Sequence, residues 1–282
     1  MEAIAALEPV YRFLGHFYDP LFMRRAALAL LLLAPVSAGA GVLVVNQRLA
    51  FFADAVGHSV FLGVAAALLL SLPEQPVVLA TGVLIGLAVI YLSRHSRLAG
   101  DTVIGLVFSG AIALGLAIVS RNPGTAKGLS RFFLGDILTL GDSQILTLAA
   151  LLILAVFFLI FFFNHLTLES LSPVLARSRH PRKSRLAPYV FAVFLALVVT
   201  VSVWSVGVLL VTALLVAPAA VGRNWASSAG SMFRIAALVS LISGQIGLYL
   251  SSRPQINTAT GATVVLAAIS IFIISYITRR RN

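Results

Sequence analysis

Arg48-Leu49-Ala50-Phe51-Phe52-Ala53-Asp54-Ala55-Val56-Gly57-His58-Ser59-Val60-Phe61-Leu62-Gly63 opens a long apolar segment, yet it carries a carboxylate and an imidazole four residues apart. On a helix that spacing sets Asp54 and His58 on one face, about one turn from each other. A charged group near the bilayer centre costs roughly 2.5–3.5 kcal/mol on insertion scales, so an ionisable residue inside a span is a functional hypothesis by default. Together the two side chains offer one oxygen and one nitrogen, a mixed pair that divalent transition metals accept. Two blander readings fit the same spacing: a hydrogen bond between the two side chains, or a polar contact that holds a neighbouring helix in register. Asp54 also lies near the polar start of the segment, where a helix N-terminus favours a carboxylate with no metal present.

The rest of the chain gives the pair its setting. Of 282 residues, 60% are hydrophobic and 10% charged, the composition of an all-α, polytopic membrane protein and not of a soluble domain. No short apolar core is followed by a small-residue cleavage site, so no removable signal peptide is expected. Cysteine is absent, which excludes disulfides and thiolate metal sites and leaves His, carboxylate, amide and backbone oxygen as ligands. A net charge of +11 belongs at cytoplasmic loops and anionic headgroups in such a protein, and no nucleic-acid partner is expected.

Residues 1–20 mix apolar and polar side chains and end at Tyr18-Asp19-Pro20, which reads as an N-terminal interfacial segment ahead of a transmembrane domain over 21–282. Apolar stretches predict spans near 22–45, 50–71, 76–92, 102–120, 143–163, 186–204, 206–222, 233–251 and 260–278. That makes eight or nine helices, depending on whether 206–222 crosses completely, since Pro218 would kink or shorten it. The polar stretch between Arg121 and Asp142, interrupted by Phe132-Phe133-Leu134, is too short to cross and reads as a loop helix or a re-entrant segment. The most basic loop runs from Asn164 to Arg185, and the chain ends Arg279-Arg280-Arg281-Asn282. Putting both in the cytoplasm is self-consistent and carries Arg94, Arg97 and Arg48 inside too. Nine spans then start outside, against the charge of Arg24 and Arg25.

Several blocks in order resemble one family. The Arg48 to Ser59 stretch followed by Gly63 is similar to the Arg-x-Ser-x-x-Gly-Asp-x-x-x-His-(Ala/Ser) signature of the membrane permeases of zinc, manganese and iron ABC importers. Asp101-Thr102-Val103-Ile104-Gly105-Leu106-Val107-Phe108, Phe133-Leu134-Gly135-Asp136-Ile137-Leu138, the run from Val206 to Ala220, and Gly261-Ala262-Thr263-Val264-Val265-Leu266 look like its further blocks. The resemblance covers about residues 20–278. Where the family often has Ser, Gly and a small residue, this chain has Ala50, Ala53 and Gly57. Ser172-Pro173-Val174-Leu175-Ala176 matches the family's short Pro-x-x-Ala helix, with an Arg-rich continuation in place of the usual Gly.

The resemblance implies a permease of the prokaryotic cytoplasmic membrane, paired as a homodimer with the translocation path at the dimer centre. It implies an extracytoplasmic binding protein that delivers the metal and a separate ATPase on the cytoplasmic side. Asp54 and His58 would contact the metal, and 169–180, with Ser172 to Ala176, would be the helix that couples to the ATPase. The residues agree on one point by themselves: Gly124-Thr125-Ala126-Lys127-Gly128 has the wrong spacing for a phosphate loop, so the chain is read as a transport subunit with no ATP hydrolysis and no covalently bound cofactor of its own. Oxygen and nitrogen ligands suit zinc, manganese and ferrous iron alike.

Two ligands do not complete a tetrahedral zinc site, which suits a conduit that must also release its ion; a two-fold axis could bring two Asp54/His58 pairs together. A ligating imidazole must be neutral, so acid should weaken transport. Asp101 reads as an N-cap, Asp136 and Asp142 as caps or solvated charges, and His95 and His180 as solvated among arginines. His16 and His165 read as interfacial, Asn257 and Thr258 as connector, and Phe157 to Phe163 as lipid-facing bulk. An ion-coupled secondary metal transporter would also use intramembrane Asp and His. An intramembrane metalloprotease would need a His-Glu-x-x-His motif, which is absent from the sequence.

Overall fold

The structure, a computed structural model, describes residues 20–121, 137–179, 181–253 and 258–279. The expected interfacial segment, His16, most of the polar stretch after Arg121 with Asp136, and also His180 and Asn257 lie outside them. Among the described residues ten α-helices follow one another: α1 Leu21–Asn46, α2 Ala50–Leu70, α3 Glu74–His95, α4 Gly100–Arg121, α5 Asp142–Leu171, the short α6 Pro173–Arg179, α7 Pro181–Val206, α8 Val208–Trp225, α9 Ala229–Ser251 and α10 Thr260–Arg279, with a 3-10 turn at Ile137–Thr139 before α5. Among the described residues nine helices are long and apolar enough to cross a membrane, all but α6. The upper of the two expected counts therefore holds, and α8 is among them.

α1 is the central column. It packs on α5, α8 and α9, and its inner stretch from Ser37 to Val44 is buried throughout. Lipid tails are as apolar as leucine, so helices in a bilayer are held by close van der Waals contact and small residues at the crossing. Gly41 shows this most directly, because a Cβ there would run into the carbonyl oxygen of Leu215 on α8. Gly63 does the same for α2 and α3, where a Cβ would come 2.8 Å from Val78 Cα. Polar contacts add to the packing inside the bundle: Ser37 and Ser240 hydroxyls meet at 3.1 Å, and the Gln245 amide donates to the Ala27 carbonyl at 3.2 Å.

Charge separates the two ends. The ends of α1, α3, α5, α8 and α10 share one side, joined by Arg94 to Glu169 at 3.9 Å, Arg223 to the Val45 carbonyl at 3.5 Å and Arg279 to Asn224 at 3.1 Å. This side carries Arg48, Arg97 and the arginines of α6 and early α7, so the positive-inside rule makes it cytoplasmic. The start of α1 is then outside. Arg25 is tolerated there because Asp142, at the start of α5, pairs with it at 2.7 Å. Asp142 is thus an ion-pair partner and not the cap or free charge expected of it. Asp101 is also displaced from its expected N-cap position: α4 begins at Gly100, and the Ala99 carbonyl accepts from Thr102 and Val103.

α5 and, to a lesser degree, α7, which starts at Pro181, extend past their apolar stretches. α5 has 30 residues, about 45 Å against a hydrocarbon core of about 30 Å, because its last turns are anchored in the cytoplasmic end: Glu169 takes both Arg94 and the hydroxyl of Ser184, at 3.3 Å. The phenylalanine run splits in two. Phe157 and Phe161 are exposed as expected, whereas Phe158 is buried, stacked on Phe194 of α7 at 3.8 Å between ring centres.

Gly41→Ala is expected to lower the thermal unfolding midpoint of the detergent-purified protein, since a forced overlap in a packed crossing costs about 1–3 kcal/mol. Gly105→Ala, whose added methyl meets nothing within 4 Å, should leave the midpoint unchanged or raise it slightly.

Candidate functional site

α2 places Asp54 and His58 on one face inside the bundle, both half-buried. The imidazole Nδ1 lies 2.9 Å from the backbone carbonyl of Asp54. A carbonyl only accepts, so Nδ1 carries the proton in this bond, and whenever the ring is neutral its lone pair is on Nε2. The ring is further held edge-on to Phe108 of α4, 5.1 Å between centres at 82°. The imidazole thus takes a bond to the backbone of its own helix in addition to lying beside the carboxylate.

Thr212 of α8 has its side chain at the Asp54 carboxylate, with its hydroxyl also 3.5 Å from the Leu209 carbonyl. Its placement depends on a break in the chain. α7 ends at Val206 and α8 starts at Val208, with Gly207 at φ 91° between them, a backbone region that L side chains avoid. The break is buried within the bundle, where irregular backbone is tolerated if it is enclosed by protein or lines a cavity. Gly57, between Asp54 and His58, receives the start of α8: a Cβ there would sit 2.7 Å from Val208 Cγ2. The two glycines thus bring the first turns of α8 against α2 at the level of the pair.

The sequence analysis located both α2 residues and missed Thr212. Its only signal was membership of the 206–220 block, because contact across 158 positions leaves no trace in spacing. Among the described residues, no group of three or more His, Cys, Asp or Glu side chains comes together as a metal site. Within one chain the site is a carboxylate, an imidazole nitrogen and a neighbouring hydroxyl. That set can engage a divalent ion weakly and release it.

The cytoplasmic residues fall differently. Ser172 sits between α5 and α6, and its carbonyl accepts from Ala176 at 3.1 Å. The short helix itself runs Pro173–Arg179. Ala176 is fully buried, whereas Val174 and Leu175 are 77% and 55% exposed. His95 stacks on Tyr91 and bonds its carbonyl at 2.8 Å, at the exposed end of α3. His165 is half-buried on α5, and Thr258 is exposed in the connector before α10.

The model of the ABC 3 transport family matches residues 19–279. This chain belongs to that family. It is the membrane permease subunit of an ABC transporter, a multi-pass membrane protein that is not itself the ATPase, and the ion-coupled secondary transporter is set aside. Among its relatives, the high-affinity zinc uptake system membrane protein ZnuB of Haemophilus influenzae is 28% identical over 91% of this chain and 97% of its own. The manganese transport system membrane protein MntC of Halalkalibacterium halodurans is 27% identical over 93% and 90%, and the chelated iron transport system membrane protein YfeD of Yersinia pestis 30% over 91% and 85%. The structure of PsaBC from Streptococcus pneumoniae in complex with Fab superposes with a TM-score of 0.79 and 25% identity, covering 94% of both chains.

Thr212→Val should weaken metal-dependent uptake by the permease roughly 10- to 150-fold, the effect of one lost hydrogen bond to a charged group, about 1.5–3 kcal/mol. Thr212→Ser should restore most of it. A hydroxyl that only filled space would give the opposite order.

Proposed function

We propose that this chain is the permease of an ABC importer for zinc, manganese or ferrous iron, and that Asp54 and His58 contact the ion on its path. The observation that carries this reading is the half-buried pair beside the buried break between α7 and α8, with Thr212 on the carboxylate. Discontinuous helices recur where transporters bind ions within the membrane. The relatives' metals, zinc, manganese and iron, all accept this nitrogen and oxygen set. Two copies related by a two-fold axis would complete the coordination that one copy leaves open, with the path between them.

The remaining parts follow from the class. A binding protein on the extracytoplasmic side delivers the ion, and a separate ATPase docks beneath α6. Support for that docking position is the exposed Val174 and Leu175 on the cytoplasmic side, braced by the buried Ala176 and by the Glu169, Arg94 and Ser184 contacts at the helix ends. Ser172 and Pro173 start the helix and set its direction.

Uptake of zinc and of manganese, measured in cells that express this chain with its cognate ATPase, should fall more than about tenfold in Asp54→Ala and in His58→Ala, with co-purified ATPase activity intact; loss of one or two metal ligands is of that size or larger. Uptake that survives both substitutions would overturn the assignment. Leu175→Asp is expected to reduce recovery of the ATPase with the permease at least severalfold, since a charge in the buried core of an interface stays unpaired, while the protein's thermal midpoint stays unchanged.

A further inference from the structure

Between α5 and α7, at the cytoplasmic end, lies a cavity of 650 Å³ with two chemically distinct parts. Phe157, Phe161, Leu186 and Val190 supply apolar walls, and Arg179, Lys183, Asn164 and His165 supply its polar lining. Phe157, Phe161 and Leu186 are each more than 60% exposed, so these walls are open to whatever surrounds the helices. The cavity continues outward into a second, almost purely apolar hollow of 320 Å³ that shares Val190 and runs along Val193 and Leu197. From Lys183 to Leu197 the track is about 21 Å long, more than the roughly 15 Å half-thickness of a bilayer's hydrocarbon core.

We infer that this groove binds an anionic phospholipid of the cytoplasmic leaflet, with its phosphate between Arg179 and Lys183 and an acyl chain along Val190, Val193 and Leu197. The level is right, because the end of α5 that flanks Arg179 is on the arginine-rich side of the molecule and basic recesses between helices on that side suit anionic headgroups. The charges are available: among the described residues the ion pairs are Arg25 with Asp142 and Arg94 with Glu169, and neither Arg179 nor Lys183 takes part. Glu169, the nearest acid along α5, is turned to Arg94 and Ser184. Arg182 and Arg185 on the same end are exposed and add to the positive field. A soluble anion would satisfy the cations and leave the aromatic and aliphatic walls uncovered, which is why the occupant is a lipid. Since Arg179 is the last residue of α6, a bound lipid also braces that helix against α5 and α7.

The test is native mass spectrometry of the full chain purified with its ATPase, titrated with phosphatidylglycerol, phosphatidylcholine and inorganic phosphate. Phosphatidylglycerol should bind roughly 10- to 30-fold more tightly than phosphatidylcholine, the preference expected of two cations near an anionic headgroup. Arg179→Gln with Lys183→Gln should reduce that preference to about twofold or less. Leu186→Trp, which fills the groove and leaves the charges in place, should weaken both lipids, and Arg97→Gln, basic and exposed outside the groove, should change neither. The assignment is overturned by an unchanged preference in the double variant, by equal weakening from Arg97→Gln, or by displacement of the lipid by inorganic phosphate. It is also overturned if Leu186→Cys, the only thiol in a chain that lacks cysteine, readily forms a disulfide between two copies, which would make the groove a contact between permeases.

Discussion

No methyl group fits at Gly41, because the Leu215 carbonyl occupies that space, and the arrangement of the other helices follows from this contact between α1 and α8. In a bilayer there is no hydrophobic gain from bringing helices together, so stability depends on how closely backbones approach. α1 meets that condition with its small residues from Ser37 to Gly41 and becomes the column on which α5, α8 and α9 pack. The polar contacts at this centre, Ser37 with Ser240 and Gln245 with the Ala27 carbonyl, leave few alternative partners in a dry interior and so favour one register.

The same economy of space produces the site. α8 can lie against α2 only because Gly57 has no side chain, and it can begin there only because Gly207 takes a backbone conformation closed to other residues. The helix that α1 holds from one side is thereby presented to Asp54 from the other. Thr212 then meets the carboxylate, while His58 is held by the Asp54 carbonyl and the Phe108 ring. Two rigid restraints on the imidazole fix the direction in which Nε2 points. Packing and the geometry of the Asp54/His58 pair are therefore linked at one level of the bundle, and a shift of α8 would change both.

Electrostatics arranges the two surfaces. Outside, Arg25 and Asp142 neutralise each other, so the helix starts there carry little net charge. Inside, among the described residues, Arg94 is in an ion pair with Glu169, which also takes Ser184 beside α6, and the other arginines of that side form none. The excess of positive charge fixes the molecule's orientation and leaves its cytoplasmic rim suited to anionic lipid and to a partner that carries its own acidic groups.

Helical class, a count of eight or nine spans and the one-face spacing of Asp54 and His58 were legible in the sequence, because apolar length and an i, i+4 spacing are local properties. The short helix after Ser172 was expected only from the family resemblance, over 169–180; it runs Pro173–Arg179, and 169–171 belong to α5. The helix ends were less legible: α5 runs on to Leu171 and α7 starts at Pro181, since ion pairs and hydroxyl contacts from other helices support turns that hydropathy assigns to loops. Asp142 as the partner of Arg25, Phe158 as a stacking core residue and Thr212 as a partner of Asp54 were decided by the tertiary structure. Each depends on which helices become neighbours, and that is set by non-local contacts such as Gly41 on Leu215 and Gly57 on Val208, which no periodicity along the chain encodes.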